Sequence, residues 1–235
     1  MSYTVTQENI LTIPADGAVL AVEIGLESAR WPSCLTLEKA GGEGLSRMLR
    51  EKRFLSVGSA VEAEPFDLPW PHLFLTCAPH WLTGKANELL ALRRCYQSLF
   101  SLAAQAGCQS LVMPFLSALY YRFPRPEALF IAKDEAEKSP LAVTFTADTP
   151  ELFALSKVPY RKPGIVSYVG WYRDYAIFEL DNGLYARVDL RPENESVDMI
   201  PYFEACYRRG TDPKQPDLPE AEIRRLRGLY EAYRI

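Results

Sequence analysis

With 235 residues, 48% of them apolar and 24% charged, the chain has the balance of a soluble globular protein, long enough for one large α/β domain or for a standard domain with an appendage. A net charge of -4, from 26 basic and 30 acidic residues, offers no cationic surface to nucleic acid or anionic lipid, so neither is an expected partner. No apolar stretch reaches spanning length, and MSYTVTQENI lacks the basic flank and apolar core of a secretory signal, which makes the cytoplasm the expected location.

In chain order, short apolar runs at 3–6, 18–24, 73–77, 111–115 and 141–146 predict strands, separated by helical patterns at 45–52, 86–106 and 128–136. This alternation points to a largely parallel or mixed sheet covered by helices. The runs Leu73 to Cys77 and Leu111 to Met113 are apolar on both faces, as interior strands require. In the longest helix Leu89, Leu92, Tyr96, Leu99 and Ala103 recur at spacings of three and four, and Gly107 ends it as a left-handed cap.

After Ser156 the composition changes. Residues 157–164 carry two prolines, a glycine and three basic residues, which suit an exposed connector, and 157–163 is read as the linker between a domain at 1–156 and a small α+β domain at 164–235. Strands are expected there at 165–169, 175–180 and 184–190, the last two joined by Asp181-Asn182-Gly183, where Asn and Gly tolerate positive φ. A final helix is predicted with Asp217 as N-cap and Pro219 in its first turn. Ile223, Leu226, Tyr230 and Tyr233 line one face, and Arg224, Arg225, Arg227 and Arg234 line the other.

Five cysteines, Cys34, Cys77, Cys95, Cys108 and Cys206, are odd in number and lack a Cys-x-x-Cys pair, so they read as free thiols. His72 and His80 are the only histidines, which excludes multi-histidine metal sites. No metal and no cofactor is expected.

The segment Ser110-Leu111-Val112-Met113-Pro114-Phe115-Leu116-Ser117, continuing Ala118-Leu119-Tyr120-Tyr121-Arg122-Phe123-Pro124, resembles the macrodomain strand and loop written S-I-A-F-P-A-I-S-T-G-x-Y-G-F-P. Gly58-Ser59-Ala60, Leu68-Pro69 and Leu73 to Trp81 are similar to the family's G-x-A, L-P and V-I-H-x-V-G-P-x-W series. Glu8-Asn9-Ile10, Asp16 to Glu23 and Ala40-Gly41-Gly42 take the places of G-D-I, D-A-I-V-N-A-A-N and the glycine loop. The ordered set spans about 155 residues. The resemblance implies a three-layer α/β/α fold with a central mixed sheet, the ADP-ribose-binding module, followed by the small α+β appendage.

The resemblance also implies a site, with departures. Asn9 stands for the adenine-binding aspartate and can still accept a hydrogen bond, and Ile10 fits beside the ring. Gly41, Gly42, Ser117 and Tyr121 complete the implied ligand-binding set, with Arg122 and Arg125 as candidates for an anion. The glycines that let backbone approach a diphosphate are replaced at Leu119 and Arg122, and the asparagines of active hydrolases correspond to Leu20 and Glu23. Glu23 is the one candidate base on water, set against a salt-bridged strand terminus, and His80 reads as a capping or packing residue. These substitutions imply a protein that binds ADP-ribose or a related nucleotide in a degenerate pocket without hydrolysing it. Two other readings stand beside it: an interaction or immunity module that binds a protein partner through the aromatic, arginine-rich appendage, and a hydrolase with altered catalytic residues.

Overall fold

The computed structural model describes residues 3–51, 54–81, 87–192, 197–200 and 217–232. Lys52, Ala86, Cys206, Tyr233 and Arg234, which the sequence reading includes in helices or among the thiols, lie outside these residues. The chain divides into two compact units, the first running through Trp81 and then Glu88–Tyr160, the second from Arg161 on.

The first unit is built on a six-stranded sheet in the order β1-β6-β5-β2-β4-β3. Its strands are β1 (Thr4–Thr6), β2 (Gly17–Val22), β3 (Ala60–Ala63), β4 (His72–Cys77), β5 (Ser110–Pro114) and β6 (Ala142–Thr146). β1, β6, β5, β2 and β4 are mutually parallel, and β3 joins β4 antiparallel at the edge, so the sheet is mixed. Every residue of β2 is buried, because the strand has neighbours on both sides and helices above and below. Packing is close enough at its start that a Cβ on Gly17 would lie 2.8 Å from the Phe74 ring.

Helices α1 (Pro32–Ala40), α2 (Gly42–Glu51), α3 (Glu88–Gln105), α4 (Arg125–Lys138) and α5 (Pro150–Ser156) flank the sheet, giving the three-layer α/β/α arrangement. The predicted stripe of α3 is buried, and Gly107 adopts φ +88 just past its end. α1, α5 and the edge strand β3 have no counterpart in the sequence reading. α1 buries only Ser33, Cys34 and Leu37, too sparse a stripe to register as helical periodicity. Among the described residues Cys34, Cys77, Cys95 and Cys108 are free and buried.

The second unit holds an antiparallel meander, β7 (Ile165–Tyr172), β8 (Tyr175–Leu180), β9 (Tyr185–Asp189) and β10 (Val197–Ile200), with α6 (Glu220–Ala232) against β9. The β8–β9 turn has Gly183 at φ +80, as the Asp-Asn-Gly signal predicts. α6 begins later than expected. The Pro219 carbonyl accepts from the amide of Ile223, so Pro219 precedes the first turn and Asp217 lies outside the helix. Leu226 and Tyr230 are buried, and the Tyr230 hydroxyl donates to the Pro163 carbonyl at 2.6 Å. No described helix is long and apolar enough to cross a membrane.

Candidate functional site

Five parallel strands end at one edge of the sheet. From β2 the chain builds β3 and β4 on one side, then crosses back over β2 to build β5 and β6 on the other. Loops leaving β4 and β5 therefore flank the end of β2, the kind of strand-order reversal outside whose carboxyl ends open α/β sheets bind ligands. Asn9 and Ile10 follow β1, Glu23 follows β2, His80 follows β4, Ser117 and Tyr121 follow β5, and Asp148 follows β6.

The loops after β4 and β5 are clamped together twice. Ser117 Oγ donates to the Pro79 carbonyl at 2.7 Å, and the Trp81 amide donates to the Tyr121 carbonyl at 2.8 Å. Ser117 and Arg122 take φ +59 and +55, left-handed values that favour glycine. The loop thus keeps a glycine-type backbone at Arg122 although a guanidinium now projects there.

Within this frame Glu23, His80 and Tyr121 meet. The Tyr121 hydroxyl donates to Glu23 Oε1, and His80 Nε2 lies 3.0 Å from Glu23 Oε2. The imidazole stacks on the Tyr121 ring at a centroid distance of 3.7 Å, and Trp31 packs against the same tyrosine at 5.1 Å. Burial pushes the Tyr121 phenol up, and the adjacent Glu23 carboxylate pushes it further, so the hydroxyl keeps its proton and donates. Burial likewise pushes the Cys77 thiol up to about 11, again with Glu23 adding to the effect.

Asn9 is exposed, and its Oδ1 accepts from the Leu11 amide at 3.1 Å, capping a single 3₁₀ turn at Ile10–Thr12; Ile10 is buried. Leu20 is wholly buried, a core residue of β2. Leu119 is half-buried while Arg122 and Arg125 are exposed, so neither the leucine nor the arginines form a closed plug.

Gly41 and Gly42 lie elsewhere. The nine residues of α1 lead away from the end of β2, which puts the glycines about 13 Å along the helix from Trp31. α2 then returns, and the Leu55 amide donates to the Ile24 carbonyl back at the crevice edge. Gly42, at φ +71, is needed for the α1–α2 turn, where a Cβ would come within 2.5 Å of Asp67 Oδ2. The segment beside Tyr121 is instead the entry to α1 at Trp31 and Pro32, and no glycine occupies it. There the Asp148 carboxylate accepts from both the amide and the hydroxyl of Ser33, capping the helix.

The sequence reading does not place His80, Trp31 and Asp148 beside Glu23, Tyr121 and the entry to α1. The His80-Trp81 pair just past a strand was the available signal for the first. The other two are joined to the site by contacts distant in sequence. Ser28 Oγ, the indole nitrogens of Trp31 and Trp81, and both Glu127 carboxyl oxygens are buried without a side-chain hydrogen-bond partner among the described residues. No group of three metal-ligating side chains occurs among the described residues.

The model of the macro domain family matches residues 34–132. A Macro domain-containing protein of Mesorhizobium japonicum is 34% identical over 96 residues, covering 41% of this chain, which spans 54% of that relative's length. The O-acetyl-ADP-ribose deacetylase 1 of Pantoea vagans is 30% identical over 135 residues, covering 56% of this chain and 78% of that protein. The chain belongs to the macro domain family. Solved macro domains agree in fold. That of Oceanobacillus iheyensis with ADP superposes with a TM-score of 0.59 at 18% identity, covering 65% of this chain and 86% of that one. The Trypanosoma brucei macrodomain in complex with ADP-ribose gives 0.57 at 18% identity, covering 66% and 67%. These two solved structures match about two thirds of the macro domain protein.

Proposed function

We propose that this macro domain binds ADP-ribose or a closely related nucleoside diphosphate in the crevice at the carboxyl ends of β1, β2 and β5. The observation that carries the reading is the convergence of Asn9, Ile10, Glu23, Ser117 and Tyr121 at that one edge, from loops that follow three different strands. Support also comes from the solved macro domains with ADP and ADP-ribose. Asn9 and Ile10 serve the adenine, and the loop from Ser117 to Arg122 faces the phosphates. Arg122 and Arg125, exposed at that loop and at the start of α4, replace the lost glycine contacts with guanidinium groups that fork onto phosphate oxygens. Gly41 and Gly42, on the far side of α1, take no part.

Calorimetry of the full chain with ADP-ribose, ADP and AMP tests this. Expected is saturable binding of ADP-ribose that weakens with rising salt and with Arg122→Ala. No heat of binding at millimolar ADP-ribose overturns it.

A further inference from the structure

A second cleft, of about 470 Å³, opens between the turn that follows β2 and the helices α1 and α2. None of Glu23, Trp31, His80 and Tyr121 lines it, so it is separate from the crevice at the strand ends. We infer that this cleft binds a small zwitterion with an apolar side chain, a free α-amino acid or a short peptide with both ends free. The inference is independent of the nucleotide reading above.

The walls are fixed before any ligand arrives. The Glu23 amide donates to the Glu27 carbonyl at 2.7 Å, the Leu26 amide to the Glu23 carbonyl at 2.8 Å, and the Ala29 amide to the Ala21 carbonyl at 2.9 Å. Leu26 takes φ +66, a left-handed value that a leucine adopts only at a cost, and its burial holds it there. Buried Leu26 and Leu49 line the cleft together with Leu35, which is 49% exposed and offers apolar surface to whatever enters.

Glu27, Glu38, Arg30 and Arg50 line the same cleft, and none of the four forms an ion pair among the described residues. Two of them are oriented by Ser46 of α2. Its hydroxyl donates weakly to Glu38 Oε1 at 3.5 Å, and its carbonyl accepts from Arg50 Nε at 3.1 Å. Glu38 Oε2 and the two terminal nitrogens of Arg50 are left for a ligand.

Charge decides the ligand class. A polyanion meets Glu27 and Glu38, and a polycation meets Arg30 and Arg50, so each is repelled by half of the charged lining. A molecule with one carboxylate and one ammonium gains at both ends, because guanidinium groups fork onto carboxylate oxygens and carboxylates accept from ammonium. The three leucines take the apolar side chain between those ends.

Calorimetry of the full chain with leucine and leucyl-leucine, beside the N-acetylated and the amidated form of each, tests this. Expected is saturable binding of leucine, leucyl-leucine or both, in the millimolar range or tighter, weakened about tenfold or more when either charged end is blocked. Leucine alone assigns a free amino acid, and leucyl-leucine alone a peptide with free ends. Arg50→Gln and Glu38→Gln should each weaken the zwitterion about tenfold with a urea midpoint near wild type, since neither side chain is buried. No binding of either zwitterion at about 10 mM, or a blocked form that binds as tightly as its parent, overturns the inference. Wild-type affinity in both variants overturns it as well. The blocked ligands are measured on the wild type, so that outcome stands whether or not the variants fold, and ADP-ribose titration bears only on the nucleotide reading.

Discussion

The hydroxyl of Tyr121 donates to Glu23 Oε1 across the crevice between the ends of β5 and β2, joining two residues 98 positions apart. Its ring is simultaneously held between the His80 imidazole and Trp31. Tyr121→Phe keeps the ring packing and removes only the donor, so it should cost about 1.5–3 kcal/mol, the usual worth of a hydrogen bond to a charged group. Tyr121→Ala also empties the space between His80 and Trp31 and should cost about 3–5 kcal/mol. Urea unfolding of the two variants measures both. Equal losses would mean that the hydroxyl contributes nothing and that packing alone holds the site.

Gly42 offers a test of where the ligand does not go. Its φ of +71 and the 2.5 Å approach of Asp67 to a built Cβ make Gly42→Ala a strain on the α1–α2 turn of about 2 kcal/mol. Because the turn lies a helix length from Tyr121, ADP-ribose affinity should stay within about twofold of wild type once the protein is folded. A variant of wild-type stability that binds tenfold more weakly would return Gly42 to the ligand site.

That displacement shows what the sequence could and could not carry. β2, β4 and β5 are legible because strands buried on both faces are largely apolar runs, and α3 because its stripe extends over about four turns of regular spacing. α1 was not, since only Ser33, Cys34 and Leu37 mark its buried face, and Trp31-Pro32 before them read as a loop. Without α1, the glycines that join it to α2 look like the first helix entry after β2, the place that the family resemblance gives to a glycine loop. His80 was hidden for a different reason. Its meaning depends on Glu23, 57 residues away, and no local pattern records a pairing made by strand order. The Ser117 to Tyr121 loop was legible because its motif is contiguous.

Arg122 holds a backbone conformation suited to glycine while its side chain is exposed. Arg122→Gly should relieve about 1 kcal/mol of left-handed strain, raising the urea midpoint. The same change removes a guanidinium from the phosphate side, so ADP-ribose affinity should fall about three- to tenfold and become less sensitive to salt. Stability and affinity moving in opposite directions is the signature. If affinity rises with stability, the arginine obstructs the loop and does not serve the anion.

Glu127 gives the fold a pH dependence of its own. In the first turn of α4 its carboxyl is buried, no group among the described residues other than its own amide offers either oxygen a hydrogen bond, and burial pushes its pKa from 4.5 up to about 7 against that amide. The native state therefore holds a proton that the unfolded chain releases near 4.5. Stability from this group is complete below that value and is lost as the pH rises through about 7, on the order of 3 kcal/mol in all. Asp148, also pushed up by burial, acts in the same direction, whereas Asp134 and Glu222, held low by Lys138, Arg93 and Arg225, act in the opposite one. The Glu127 contribution is isolated as the difference between wild type and Glu127→Gln, measured as urea stability from about pH 5 to about pH 8. The amide cannot ionise, so the variant should match or fall slightly below wild type at the acid end and exceed it at the alkaline end. A difference that stays constant across the range would mean that Glu127 ionises as freely in the folded protein as in the unfolded one.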